Sequence, residues 1–228
     1  MSERHDASSS WEPDGPRAPG DPEAQDRSAG RGGLLVIISG PSGVGKDTII
    51  EALRALHPDA DYHYVVTCTT RARRPGEEEG RDYHFVSESA FQDLRARGEL
   101  LEWAEVHGNW YGTPRATVRE GLALGRTVIL KIDVQGAAAV KSAVPEALLI
   151  FLVPPSLEAL FGRLRSRATE SADELEVRQR NAAIELARQE DYDYVVVNET
   201  GQVEATARRI EGIIVAERAL NADRRLEL

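Results

Sequence analysis

Short apolar runs alternate with amphipathic stretches along most of the chain. The runs have the length and β-branched content of strands buried on both faces, and they predict strands at Leu34–Ser39, Tyr62–Thr67, Thr127–Asp133, Ala147–Val153 and Tyr194–Val197. Helical spacing and helix-ending residues predict helices at Asp47–Leu56, Ser87–Arg97, Pro114–Leu124, Ser156–Arg165, Asp173–Glu190 and Val203–Leu220. Strands that alternate with helices predict an α/β fold with a mainly parallel sheet flanked by helices.

The first 32 residues lack this pattern. They are rich in Ser, Pro and Gly and contain no Val, Ile, Leu or Phe. Such a segment cannot bury enough apolar surface to offset its ordering entropy, so the sequence predicts a disordered tail over residues 1–32 and a folded domain over 33–228. The tail lacks the apolar stretch of a signal peptide, and its acidic residues argue against a mitochondrial transit peptide.

Composition narrows the class of protein. The chain of 228 residues has 28 basic and 38 acidic residues, a net charge of −10 and a pI near 5.1, which argues against a surface for nucleic acid. The single cysteine, Cys68, excludes an internal disulfide. The longest apolar run, Ala147–Val153, is too short to cross a bilayer. The sequence therefore predicts a cytoplasmic protein with neither nucleic acid nor a membrane as partner.

A glycine-rich turn, GPSGVGKDT, joins the first predicted strand to the first helix. Glycines at this spacing let backbone N–H groups turn toward phosphate oxygens at the positive end of a helix, and the lysine reaches the β- and γ-phosphates. This motif predicts an ATP-binding loop. Its candidate residues are Gly40, Pro41, Ser42, Gly43, Val44, Gly45, Lys46, Asp47 and Thr48.

The residue after the lysine is unusual for such a loop. A Ser or Thr is expected there as a Mg²⁺ contact, whereas this chain has Asp47, with Thr48 one place later. One hypothesis makes Asp47 a first-turn acid that is favoured by the helix dipole. The other makes it an oxygen donor to Mg²⁺. Thr48 is the second candidate for a phosphate or metal contact.

A basic cluster follows in TCTTRARRPGEEEGRDYHF, which runs from Thr67 to Phe85. Guanidinium groups match phosphate oxygens, so Arg71, Arg73, Arg74 and Tyr83 are candidates for a phosphate clamp. The alternative is a solvated basic turn that is balanced by the acidic run at 77–79, and the cluster alone does not separate the two. Glu78 and Glu79 are assigned to a solvated loop.

Taken together, these motifs resemble those of the guanylate kinase family, which phosphorylates GMP from ATP. The resemblance covers the chain from Leu34 onward and rests on GPSGVGK, on TTRxxRxGExxGxDYxF at Thr69–Phe85, on LEWAEVHGNWYGT at Leu101–Thr113 and on IDVQG at Ile132–Gly136. It implies a P-loop NTPase core, a mixed acceptor-binding insertion over 67–113 and a helical lid over 156–190. It also implies ATP and GMP as substrates, with dGMP a further candidate acceptor, and Mg²⁺ as cofactor. It indicates no oligomeric state.

The resemblance assigns a role to individual residues. The acceptor phosphate is expected at Arg71, Arg74, Tyr83 and Tyr111, and the guanine at Thr67, Glu102, Thr113 and Asp133. Glu77 is expected to orient an arginine, and Asn198 to contact the adenine of ATP. The catalytic group is Lys46 and Arg74 with the lid arginines Arg167 and Arg178, and Thr48 would contact Mg²⁺. Many members carry Asp where this chain has Lys131, so Lys131 is given no metal role.

The guanine assignment agrees with the chemistry of the base. Guanine presents N1–H and a 2-amino group as donors, which carboxylates such as Glu102 and Asp133 accept, while a hydroxyl such as that of Thr113 or Thr67 serves O6. Adenine has no N1–H and would face a carboxylate with a lone pair. Sites that hydrogen-bond a group reject analogues without it by about 10⁴–10⁵-fold.

Two other functions remain open at this level. Guanylate-kinase-like domains of scaffold proteins bind phosphopeptides without catalysis, although the intact loop from Gly40 to Lys46 argues against that function. Ribose 1,5-bisphosphate phosphokinases resemble this fold and carry aspartate after the P-loop lysine. They have no guanine to recognise, so Glu102, Thr113 and the IDVQG segment favour a guanylate kinase.

Overall fold

A computed structural model describes residues 32–56, 62–106, 108–166, 172–221, 226 and 228. The predicted tail, apart from Gly32, lies outside the described residues. So do His57 and Pro58, which are expected to end the helix Asp47–Leu56, and the lid residue Arg167. The side chains of residues 166, 172–175 and 178 are likewise not described.

Strands and helices alternate along the described chain. The strands are β1 (Leu34–Ser39), β2 (Tyr62–Tyr64), β3 (Cys68–Thr69), β4 (His84–Phe85), β5 (Leu100–Val106), β6 (Asn109–Pro114), β7 (Thr127–Lys131), β8 (Leu148–Val153) and β9 (Tyr194–Val197). The helices are α1 (Lys46–Leu56), α2 (Glu88–Ala96), α3 (Arg115–Ala123), α4 (Val134–Ala143), α5 (Leu157–Ser166), α6 (Ala172–Leu186) and α7 (Val203–Leu220). A 3₁₀ turn, Ala187–Asp191, follows α6.

The larger sheet confirms the predicted parallel α/β core. Its order is β2-β7-β1-β8-β9, and every neighbouring pair is parallel. In open sheets of this kind, ligands bind outside the carboxyl ends of the strands, where successive connections leave toward opposite edges of the sheet. The central strand β1 is at that point, because the chain continues to β2 and β7 on one side of it and later to β8 and β9 on the other. The glycine-rich loop begins directly after β1.

Side chains on both faces of this sheet are buried, which explains the unbroken apolar runs. On one face Leu34, Val36 and Ile38 of β1 belong to a core cluster with residues of α1 and α7. On the other face Leu35 and Ile37 join residues of α3 and α4. The helix α7 packs on this core through Ala207, Ile210 and Ile214, which are fully buried.

A second, smaller sheet forms the predicted mixed insertion. Its order is β4-β3-β6-β5, in which β3 and β4 are parallel and β6 is antiparallel to both of its neighbours. β5 and β6 form a hairpin, and Gly108 between them has a φ of 72°, a conformation that favours glycine. Phe91 and Leu94 of α2 are buried in the same cluster as Cys68 and Leu100.

The element boundaries differ from the sequence prediction at several places. The predicted strand Tyr62–Thr67 is shorter, because the chain leaves the large sheet after Tyr64 and enters the small sheet at Cys68. Pro114, expected in the first turn of a helix, instead ends β6 and caps α3. Ser156, where the predicted helix begins, caps α5, since its Oγ accepts from the Ala159 amide at 3.2 Å.

The two helices of the predicted lid pack against each other. Leu160 and Leu164 of α5 are fully buried with Ala182 of α6. The base of this pair touches the glycine-rich loop, because a Cβ built on Gly43 would lie 2.7 Å from Cδ2 of Leu164. Among the described helices, none combines the length and apolar character needed to cross a membrane.

Candidate active site

The loop after β1 has the backbone of a phosphate-binding turn. Gly40, Gly43 and Gly45 have φ values of 145°, 83° and 103°, which side chains rarely allow. Glycine is also required for space, because a Cβ on Gly40 would lie 2.4 Å from the carbonyl oxygen of Leu152. The Ser42 amide donates to the Glu185 carboxylate of α6 at 3.0 Å, so at least one amide of the loop faces an anion.

Lys46 lies at the start of α1 and folds back on this loop. Its Nζ donates to the carbonyl oxygens of Gly40 at 2.6 Å and Pro41 at 3.3 Å. Burial lowers the pKa of Lys46, and the charges of Glu185, Asp47 and Asp133 oppose that shift. The ammonium group is therefore held in the loop, where phosphates of a nucleotide would bind.

Asn198 and Arg163 both bind a backbone carbonyl of the glycine-rich loop. Asn198 is 3% exposed, and its Nδ2 donates to the carbonyl oxygen of Val44 at 2.8 Å. Arg163 of α5 donates to the same oxygen at 2.9 Å. The contact of Asn198 with adenine stays a prediction, and the contact that the structure provides is with the loop. The sequence does not predict this role for Arg163, because no motif or spacing distinguishes it from other arginines of the lid.

The expected phosphate clamp is assembled around Arg71. Arg71 donates to the Glu77 carboxylate at 2.7 Å, and its guanidinium carbon lies 5.4 Å from the centre of the Tyr83 ring. The rings of Tyr83 and Tyr111 meet edge to face at 5.9 Å. Burial acts to lower the pKa of Arg71, but the bond to Glu77 and the nearby Tyr111 outweigh it and raise the pKa. The predicted grouping of Arg71, Tyr83 and Tyr111 is therefore found.

The acidic run at 77–79 has more structure than expected. Glu77 orients the arginine segment as predicted, since it also accepts from the Arg74 amide at 2.8 Å, while Arg74 is exposed. Glu78 is exposed, in agreement with a solvated loop. Glu79 is exposed as well, and its carboxylate also accepts from the Phe85 amide at 2.9 Å and lies 3.0 Å from Nδ1 of His84.

A buried carboxylate lies where guanine is expected. Glu102 of β5 is 4% exposed, and Thr113 of β6, its partner across the hairpin, is fully buried. Thr113 Oγ1 donates to Glu102 Oε1 at 2.6 Å. A buried carboxylate is costly unless it has donors, and one hydroxyl satisfies only part of its capacity. The remaining capacity suits a ligand that presents further N–H groups.

The segment that follows β7, with Asp133 and Gly136, lies next to the Glu102 carboxylate. Asp133 caps α4 by accepting from the Gly136 amide at 2.8 Å. A Cβ on Gly136 would lie 2.7 Å from Glu102 Oε2 and 3.3 Å from Asp133 Oδ1, so both acids adjoin this glycine. Thr67, a fourth predicted guanine contact, is buried at 5% exposure in the segment before β3.

Burial also sets the titration of Glu102. It raises the pKa of this carboxyl from its ordinary value of 4.5 to about 7, which the Thr113 bond partly opposes and the Asp133 charge reinforces. The pKa of Glu102 is therefore higher in the folded chain than in the unfolded chain. Its contribution to the free energy of unfolding is fully present below pH 4.5 and is lost as the pH rises through 7.

We therefore expect Glu102→Gln to change how stability depends on pH. The variant should gain in free energy of unfolding relative to the wild type between pH 5 and pH 8, by at most about 3 kcal/mol, because one pKa unit corresponds to about 1.4 kcal/mol. Urea unfolding of the nucleotide-free proteins at both pH values measures this. Parallel pH profiles for the two proteins would contradict it.

The first turn of α1 offers oxygen donors for a divalent cation. Asp47 and Thr48 are exposed there, next to Lys46. No group of three or more His, Cys, Asp or Glu side chains within the described ranges could hold a metal on its own. This donor set fits Mg²⁺ bound mainly through nucleotide phosphates, since Mg²⁺ typically takes few protein ligands there.

Asp47 and Lys131, the two residues that depart from the usual motifs, contact each other. Lys131 at the end of β7 donates from Nζ to Asp47 Oδ1 at 2.6 Å. The predicted lid arginines are not placed: Arg167 lies outside the described residues, and of Arg178 only the backbone, in α6, is described.

Comparisons with known proteins agree with this geometry. The guanylate kinase family model matches residues 33–217. The chain is 48% identical to the guanylate kinase of Mycobacterium sp. (strain MCS) over 82% of this chain and 94% of that protein. It is 45% identical to guanylate kinase 2, chloroplastic/mitochondrial, of Oryza sativa subsp. japonica, over 82% of this chain and 65% of that protein.

A solved structure gives the same result. The crystal structure of guanylate kinase from Anaplasma phagocytophilum superposes with a TM-score of 0.67 at 37% identity, covering 82% of this chain and 87% of that one. The family match spans both the parallel core and the small sheet that holds Glu102 and Thr113. The chain belongs to the guanylate kinase family.

Proposed function

We propose that this chain transfers the γ-phosphoryl group of ATP to GMP and releases ADP and GDP. The observation that supports it best is the buried carboxylate of Glu102, held by Thr113 at 2.6 Å and adjoined by Asp133 across Gly136. Such a site accepts the N1–H and 2-amino donors of guanine and is unsuited to adenine. We propose that dGMP is accepted as well, since none of these contacts involves a ribose hydroxyl.

The donor phosphates bind in the loop from Gly40 to Thr48. Loop amides, including that of Ser42, take phosphate oxygens, and Lys46 moves from the carbonyl of Gly40 to the β- and γ-phosphates. The Ser42 amide donates to the Glu185 carboxylate, so ATP would replace one anion by another at that position. Asn198 and Arg163 keep the loop backbone in place during this exchange.

The acceptor phosphate binds between Arg71, Arg74, Tyr83 and Tyr111. Glu77 already fixes Arg71, so the guanidinium does not have to be ordered when GMP arrives. Phosphoryl transfer needs alignment and charge neutralisation rather than covalent help from the protein. Lys46, Arg74 and the lid arginines Arg167 and Arg178 are proposed to neutralise the equatorial oxygens, and closure of the lid excludes water.

We further propose that Mg²⁺ accompanies ATP in this site. It would be held by the phosphates and by the Thr48 hydroxyl in the first turn of α1. When bound, the ion supplies positive charge for the β- and γ-phosphate oxygens. The protein's part is to present the Thr48 hydroxyl in the first turn of α1, two residues after Lys46.

We also propose a cytoplasmic setting with no nucleic acid or membrane partner. The single cysteine, Cys68, is free and buried, and burial raises the pKa of its thiol, so it does not favour disulfide exchange. The net charge of −10 opposes binding to phosphate backbones.

One coupled assay tests this function. Purified full-length chain is given ATP, Mg²⁺ and in turn GMP, dGMP, IMP, AMP and ribose 1,5-bisphosphate, and ADP release is followed. We expect turnover with GMP and dGMP, slow turnover with IMP and negligible turnover with AMP. Phosphorylation of ribose 1,5-bisphosphate without GMP would assign the chain to that other activity, and phosphopeptide binding without ATP consumption would make it a scaffold domain.

A further inference from the structure

Lys131 occupies the edge of the large sheet where the nucleotide phosphates are expected. It is the last residue of β7, and its neighbour in register on β1 is Ile38, two residues before the glycine-rich loop. Its side chain is 16% exposed, while that of Asp47, which it contacts, is 61% exposed. An ammonium group is thus held at the carboxyl edge of the sheet, directly beside the first turn of α1.

On its other side Lys131 meets the acceptor-phosphate clamp. Nζ lies 4.7 Å from the centre of the Tyr83 ring, and Tyr83 in turn contacts Arg71 and Tyr111. Lys131 also lies close enough to Lys46 for its charge to contribute to the lowered pKa of that residue. It therefore stands between the group that binds donor phosphates and the group that binds the acceptor phosphate.

Lys131 keeps its positive charge in this mostly buried position. Burial acts to lower the pKa of Lys131, but Tyr83 and Asp47 outweigh it and raise the pKa, so the group stays charged. A partly exposed ion pair typically contributes less than about 1 kcal/mol to stability, and here it brings two lysines together in one site. An ammonium has three N–H donors, and Asp47 and Tyr83 are the partners that the described residues provide for two of them.

We propose that Lys131 binds an oxygen of the acceptor's phosphate, and that Asp47 is the residue that positions it. The inference rests on the proposed function and adds two residues to its site. A phosphate held by Arg71, Tyr83 and Tyr111 would be close to Lys131, whose Nζ lies 4.7 Å from the centre of the Tyr83 ring. Lys131 then helps to align the acceptor oxygen with the γ-phosphoryl group. Lys46 folds back onto the loop carbonyls, and Asp47 keeps the Nζ of Lys131 from doing the same.

The test compares a ligand that has the phosphate with one that lacks it. Calorimetric titration of the full chain with GMP and with guanosine is done for wild type, Lys131→Met and a control, Lys141→Met. The control removes a lysine that is paired with Asp193 at 3.2 Å near the amino ends of β8 and β9. We expect Lys131→Met to weaken GMP binding about 10- to 100-fold, the range of a charge-assisted hydrogen bond, and to leave guanosine binding unchanged. Lys141→Met should change neither.

Steady-state kinetics then separate the two residues. In Lys131→Met, kcat/KM for GMP should fall at least as much as affinity, with little change in the KM for ATP. Asp47→Ser should cause a smaller loss, and none when Lys131→Met is already present, because Asp47 acts through Lys131. If Asp47→Ser instead raised the Mg²⁺ requirement equally in both backgrounds, Asp47 would be a metal contact and its positioning role would be overturned.

The remaining outcomes also decide. Equal loss of GMP and guanosine binding, or loss of neither, would overturn the role of Lys131. If melting temperatures show that Lys131→Met is poorly folded, the comparison of GMP and guanosine binding is repeated with Lys131→Gln. Failure of the wild type to phosphorylate GMP would overturn the proposed function, whereas an active wild type with an unaffected Lys131→Met would overturn only this inference.

Discussion

Lys46→Met is expected to abolish most phosphoryl transfer while leaving the fold intact. Lys46 Nζ lies 2.6 Å from the carbonyl oxygen of Gly40, so the structure already holds the cation inside the loop that would surround the phosphates. Methionine keeps much of the length of the side chain and removes the charge that stabilises oxygens in the transition state. Loss of one such preorganised group typically lowers kcat by about 10²–10³-fold, and we expect at least that. The measurement is kcat for GMP at saturating ATP and Mg²⁺.

Two controls make this result specific. Lys141→Met removes a lysine from a surface pair with Asp193 and should leave kcat unchanged. Melting temperature should not fall in Lys46→Met, because burial disfavours the charged form of Lys46 in the nucleotide-free protein. A kcat within a factor of a few of wild type, in a folded Lys46→Met protein, would contradict the role given to this loop.

The centre of the large sheet could be predicted because β1, β7 and β8 are buried on both faces. Every residue of Leu34–Ser39 is buried, so the sequence has an uninterrupted apolar run there that no amphipathic helix would show. The division of Tyr62–Thr67 between two sheets could not be predicted in this way. It depends on pairing of Cys68 and Thr69 with β6, about forty residues further along the chain, and local β-propensity contains no information about that partner.

In the candidate site, too, local sequence signals could be predicted and contacts between distant segments could not. Motif spacing predicted the loop glycines, because their backbone conformation favours glycine. Glu102 and Thr113 were predicted through the resemblance to the guanylate kinase family, and their role in binding guanine stays a prediction. Contacts between distant segments were beyond motif spacing: Lys131 and Asp47 are 84 positions apart, and Ser42 and Glu185 are 143 apart. Only the parallel pairing of β1 with β7 and the packing of the lid on the loop bring these groups together.

Glu102→Gln is expected to remove most of the preference for GMP without affecting the ATP site. In the wild type, Thr113 donates to Oε1, and Oε2 adjoins Gly136. In the variant the amide oxygen takes the bond from Thr113, which leaves an NH₂ group facing the N1–H and 2-amino donors of guanine. Charge-assisted hydrogen bonds are worth about 1.5–3 kcal/mol, so kcat/KM for GMP should fall about 10- to 100-fold.

The pattern across substrates distinguishes guanine recognition from a general loss of structure. IMP keeps N1–H but has no 2-amino group, so it should be a poorer substrate of the wild type and less sensitive to Glu102→Gln, while AMP stays negligible for both and the KM for ATP changes little. Glu105→Gln is the matched control, because Glu105 lies in the same strand but is exposed. Unchanged GMP kinetics in Glu102→Gln, or an equal loss in Glu105→Gln, would contradict recognition by the buried carboxylate.

Guanosine adds a further check, because its base has the same donors and it has no phosphate that titrates near pH 7. Since bound guanine favours the ionised form of Glu102, whose pKa is about 7 without ligand, guanosine affinity should rise between pH 6 and pH 8 in the wild type and stay constant in Glu102→Gln.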